Sequence, residues 1–132
     1  MMTVAFLILA IVPSVFDFNE TLVYHPGWPG HARFHLVWSM GVLSLNAAVG
    51  LYFVWVHQLD RQFGIRMAGI LGLGSLMAFF ASMLAMPLYS GALHDAGGVP
   101  RLMGHDPNSI GFALTAALLL WGMRLARDTD PW

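Results

Sequence analysis

The sequence predicts an all-α integral membrane protein: a four-helix bundle with both termini on the cytoplasmic side. Three observations carry this. Of the 132 residues, 58% are hydrophobic and only 10% are charged, where a soluble domain carries about 25% charged residues. Mean hydropathy is +0.67. Four apolar stretches approach the roughly 20 residues that a transmembrane helix needs.

The expected spans are 2–23, 32–57, 65–89 and 109–125. The first opens with an uncharged run from Met1 to Phe16, and the helical pattern continues to Val23. A signal peptide would want a basic start and a small-residue cleavage site. Neither is present, so a retained helix is expected. The link His25-Pro26-Gly27-Trp28-Pro29-Gly30 is set by Pro and Gly, with an interfacial Trp. Leu59 to Gly64 is a short polar turn. Gly41, Ala47, Ala48 and Gly50 on span two, and Gly69, Gly72 and Gly74 on span three, offer small-residue surfaces for close helix packing. A long connection, 90–108, carries His94, Asp95, Arg101, His105 and Asp106. Asp106-Pro107 reads as an N-cap followed by Pro at the first helical position.

Arg61, Arg66, Arg124 and Arg127 fall on one side of the bundle, Arg33 and Arg101 on the other. The positive-inside rule then places the termini and the 59–64 turn in the cytoplasm. The first and third connections face outward, toward the periplasm if the membrane is a bacterial inner membrane. Composition excludes several classes. With six Arg, no Lys and a net charge of -1, no basic patch exists to neutralise nucleic-acid phosphates. The absence of Cys excludes a disulfide scaffold and a Cys nucleophile.

Five of the six His (His25, His31, His35, His94, His105) and four of the seven acids (Asp17, Glu20, Asp95, Asp106) gather at the outer end. Asp17 and Glu20 are three apart and share a face if span one continues as helix. An ionisable group at that depth is a functional candidate. His31 and His35 are four apart and also share a face. Along that face follow Ser39, Val42 and Asn46, a polar stripe expected to face the bundle interior. Arg33 points away from it, toward Asp17, Glu20 or a lipid phosphate.

The stretch Asn19-Glu20-Thr21, then His25-Pro26-Gly27-Trp28-Pro29-Gly30-His31-Ala32-Arg33-Phe34-His35, resembles a motif of small four-helix membrane proteins of bacteria and fungi. The general shape is similar to the DoxX-like four-helix group. The likeness covers residues 19–35 directly and the rest by hydropathy. It implies that the acid of span one and the His pair of span two belong to one site, and it implies no activity.

Three functional readings follow from the residues. In the first, Asp17, Glu20, His31, His35 and Asn46 form a catalytic site for acid–base chemistry on a lipophilic substrate, isoprenoid, sterol or quinone-like. In the second, His31, His35, Glu20 and His105 ligate a metal, Zn or Fe. His31-Ala-Arg-Phe-His35 lacks the Glu of the H-E-x-x-H metalloprotease motif. In the third, the chain is a non-catalytic subunit of a homo-oligomer or larger membrane complex, and the polar cluster ties its loops together.

Overall fold

The protein, seen in a computed structural model, is described for residues 1–57, 59–93 and 100–128. Four helices follow in order: α1 (Met2–Phe16), α2 (Gly30–Trp55), α3 (Arg61–Tyr89) and α4 (Pro107–Asp128). The described residues contain no strand, only an isolated bridge between Leu102 and His105. Helices α2, α3 and α4 are long and apolar enough to cross a membrane. Each helix packs on two neighbours: α1 on α2 and α4, α3 on α2 and α4. The outer surface is apolar, with Leu88 88%, Leu84 79% and Met77 70% exposed. Water would penalise that surface and a hydrocarbon environment suits it.

Helix α1 ends at Phe16, seven residues short of the expected Val23. At 15 residues it is about 22 Å long, less than the roughly 30 Å hydrocarbon thickness. Asn19 explains the stop. Its Oδ1 accepts from the backbone N–H of Thr21 (2.8 Å) and Leu22 (3.1 Å) and from the Thr21 hydroxyl (2.8 Å). Its Nδ2 donates to the Phe16 carbonyl at 2.6 Å. A short polar side chain thus offers the backbone an alternative to the helical ladder, and it satisfies one of the carbonyls orphaned at the helix end.

The other boundaries differ less. Helix α2 starts directly after Pro29, whose extended backbone cannot continue as helix. Helix α3 begins at Arg61, four residues before the expected start, because Asp60 Oδ1 accepts from Phe63 N at 2.8 Å and caps it. At its far end Ser90 adopts a left-handed conformation (φ 56°) and closes the helix. Asp106 caps α4 as expected, accepting from Asn108 N at 3.0 Å and Ser109 N at 3.4 Å.

Phe6 sits at the centre of the core with no exposed surface, among Met2, Ala5 and Leu9 of its own helix, Ala47 of α2, Leu76 of α3 and Leu119 of α4. Gly50 and Gly72 make room for it: a methyl group added at Gly50 would overlap the Phe6 ring, and one at Gly72 would meet Leu119 and Phe6. The expected small-residue surfaces are therefore only half used. Gly69, Gly72, Ala47 and Gly50 are buried, while Gly41, Ala48 and Gly74 face outward. Composition marks a small residue but not the rotation of the helix about its axis.

Candidate functional site

The sequence-predicted residues gather at the end of the bundle where α1 and α3 finish and α2 and α4 begin, but they do not form one constellation. The 17–29 connection is folded rather than loose. Val23 is buried and its N–H donates to the Asp17 carbonyl at 3.1 Å. His25 is fixed within this segment: its Nδ1 accepts from Gly27 N at 3.1 Å, and its carbonyl accepts from Trp28 N at 3.1 Å. Arg33, in the second turn of α2, donates from Nη2 to that same carbonyl at 2.8 Å. One guanidinium thereby pins the connection onto α2. Its Nε is buried without a hydrogen-bond partner.

Asp17 lies just past α1, half-buried, and burial raises its carboxyl above the ordinary carboxylate range. Glu20 is exposed in the folded connection. The expected shared helical face of Asp17 and Glu20 does not exist, because both residues lie beyond the end of α1. Among the described residues neither acid forms an ion pair with Arg33, whose hydrogen bond goes to a carbonyl. The separation has a simple cause. Once Asn19 takes over the backbone, residues three apart no longer project to one side.

His31 and His35 do meet. Their Nε2 atoms stand 3.0 Å apart, with the rings nearly perpendicular (89°) and centroids 4.5 Å apart. The i,i+4 spacing on a regular helix produces this directly. Both side chains are exposed. Phe34 and Trp38 stack at 6.4 Å beside them, and Trp38 lies 5.6 Å from the His35 ring. Ser39 donates to the His35 carbonyl at 2.8 Å.

The expected interior stripe divides. His31, His35, Ser39 and Val42 face outward, whereas Asn46 turns toward α3. Its Nδ2 donates to Ser75 Oγ at 3.3 Å, and Ser75 donates to the Leu71 carbonyl at 2.9 Å. Asn46 thus joins two helices and does not line a path from the His pair. From His35 to Asn46 is eleven residues, about 20° past three full turns, so the two lie on nearly one face of α2; they differ because Ser75 of α3 stands beside Asn46, whereas the His35 level is exposed.

His105 stands apart on the turn before α4. Leu102 and His105 exchange two backbone hydrogen bonds of 3.0 Å, and Met103 (φ 51°) and Gly104 (φ 83°) take the left-handed conformations of a tight reversal. A cleft of roughly 380 Å³ is lined here by Leu93, Arg101, His105, Asp106 and Ser109, with Ala92 and Gly104. His94 and Asp95 lie outside the described residues. Among the described residues no group of three or more His, Asp or Glu side chains is placed to hold a metal ion. The expected set His31, His35, Glu20 and His105 is therefore not assembled: only the first two are brought together, because only they share a helix.

Sequence reasoning missed the Arg33 contact with the His25 carbonyl. No spacing rule signals a bond from a helix to an irregular segment eight residues earlier. Comparison with known proteins finds no matching family model, no matching curated protein and no matching solved structure.

Proposed function

We propose that this chain is an integral membrane protein that performs acid–base chemistry on a lipophilic molecule through the His31–His35 pair. The observation that carries the reading is the 3.0 Å approach of the two Nε2 atoms on an exposed face of α2. In a neutral pair one Nε2–H donates and the other Nε2 accepts. The donor ring then keeps a free lone pair on Nδ1, and the acceptor ring keeps an Nδ1–H. The pair therefore holds one base and one acid, linked by a hydrogen bond. A proton accepted at the donor ring's Nδ1 releases that ring's Nε2 proton to the partner, whose Nδ1 proton leaves. The count of protons is unchanged, and the two reacting ends are separated in space. Imidazole suits such work because its ordinary pKa lies near neutrality.

The outward orientation of the pair supports a substrate that arrives laterally from the bilayer rather than through an internal channel. Phe34 and Trp38 supply apolar contact beside it. An isoprenoid, sterol or quinone-like molecule fits this surface. The Arg distribution supports cytoplasmic termini. The His pair would then face outward, toward the periplasm of a bacterial inner membrane. Asp17, Glu20 and Asn46 take no direct part in this reading.

The test is identification of co-purifying lipids by mass spectrometry, followed by incubation of reconstituted protein with the lipids found. Turnover lost in both His31→Ala and His35→Ala and kept in Asn46→Ala supports the dyad. Turnover unchanged in the His31→Ala, His35→Ala double variant rejects it.

A further inference from the structure

We infer that His31 and His35 also form a two-imidazole chelate for a divalent transition-metal ion of tetragonal preference, with Cu²⁺ the fitting probe. This goes beyond the acid–base reading and does not depend on it. The argument begins with the spacing. At a metal–nitrogen distance of about 2.05 Å, two nitrogens 3.0 Å apart subtend about 94° at the metal. That is close to the 90° of adjacent positions in a square-planar or tetragonal site. A tetrahedral ion would need the nitrogens roughly 3.3 Å apart. The spacing of this pair accommodates two adjacent positions of a tetragonal site, and Cu²⁺ heads the affinity order of the divalent first-row ions for nitrogen donors.

The surroundings agree with an open site. Both rings are exposed, so the remaining coordination positions face outward and can be filled by water or a small ligand. No third His, Asp or Glu among the described residues joins the pair. The other described histidines at this end are separately placed: His25 Nδ1 already accepts from Gly27 N, and His105 belongs to the turn before α4. The chemistry balances without loss of a proton. Binding needs a lone pair on both Nε2 atoms, so the donor ring shifts its proton from Nε2 to Nδ1 and stays neutral. A bound metal occupies the Nε2 atoms through which the proton relay would pass, so metal uptake and relay are alternative states of one pair.

The experiment uses the full chain in detergent, stripped with a chelator and titrated with Cu²⁺. One Cu²⁺ per chain is expected, with a tetragonal electron paramagnetic resonance signal split by two ring nitrogens. His31→Ala and His35→Gln should each weaken uptake roughly tenfold or more, while His25→Ala and His105→Ala leave it unchanged. Both substituted side chains are exposed, and the glutamine keeps size and polarity without a ring nitrogen. Circular dichroism on each variant separates lost ligands from lost fold. Equal Cu²⁺ uptake by the His31→Ala, His35→Ala double variant overturns the proposal, as does splitting from a single nitrogen. Because uptake is read without any lipid, failure here and failure of the acid–base reading are separate results.

Discussion

Phe6 of α1 occupies the space that Gly50 of α2 leaves free, and the ring is fully buried there. The contact fixes how closely two helices approach, and it depends on the absence of a single methyl group. Gly50→Ala should therefore destabilise the bundle by about 1–3 kcal/mol, the usual cost of overpacking. Gly74→Ala is the matched comparison, since nothing lies within 4 Å of an added methyl there. Thermal unfolding in detergent should separate the two variants. Equal midpoints would mean that α1 does not pack on α2 through Phe6.

Asn19 replaces helix with a folded turn through four hydrogen bonds. Its loss in Asn19→Ala should cost about 1–2 kcal/mol. Amide hydrogen exchange is the direct readout, with protection falling first at Thr21 and Leu22. Unchanged exchange there would show that the turn is held by the Val23 packing and not by the asparagine.

Asn46 and Ser75 link α2 to α3 at 3.3 Å. Polar pairs between membrane helices contribute on average about 0.6 kcal/mol in double-mutant cycles. A cycle with Asn46→Ala and Ser75→Ala should return a coupling of that size. It should leave lipid turnover intact, because neither residue reaches the His pair. A large loss of turnover on Asn46→Ala alone would restore the interior stripe as a functional path.

Asp17 carries a carboxyl raised by burial. The folded state then binds its proton more tightly than the unfolded state does. Stability from this group is fully present below the unfolded carboxylate pKa and is lost as pH rises through the folded value. At neutral pH the ionised carboxylate is the destabilised form. Asp17→Asn removes a contribution that falls as pH rises, so the variant should gain stability relative to the parent chain progressively toward pH 7. Denaturation of both proteins between pH 3 and pH 7, an interval of roughly that width around a raised carboxyl, checks this. A variant that instead loses stability relative to the parent chain as pH rises would mean that the carboxylate is stabilised by an ion pair.

Much of the architecture is legible in composition and periodicity. Helices α2, α3 and α4 follow from long apolar runs, and the α4 cap follows from Asp106-Pro107. The His31–His35 contact is also legible, since helical spacing alone brings the two rings together. The end of α1 is less so. The apolar run invites a longer helix, and only the side-chain bonds of Asn19 reveal that the backbone leaves it.

The sequence by itself determined a four-helix apolar bundle and the pairing of two imidazoles, because both depend on interactions within one helix or on transfer of side chains out of water. Tertiary structure decided which face of α2 points outward. It also separated Asp17 and Glu20 from the histidines and turned Asn46 toward Ser75. The physical reason is that helix rotation is set by complementary packing between helices, Phe6 against Gly50 above all. Such packing is a property of two surfaces in register, and a periodicity read along one strand of sequence does not contain it.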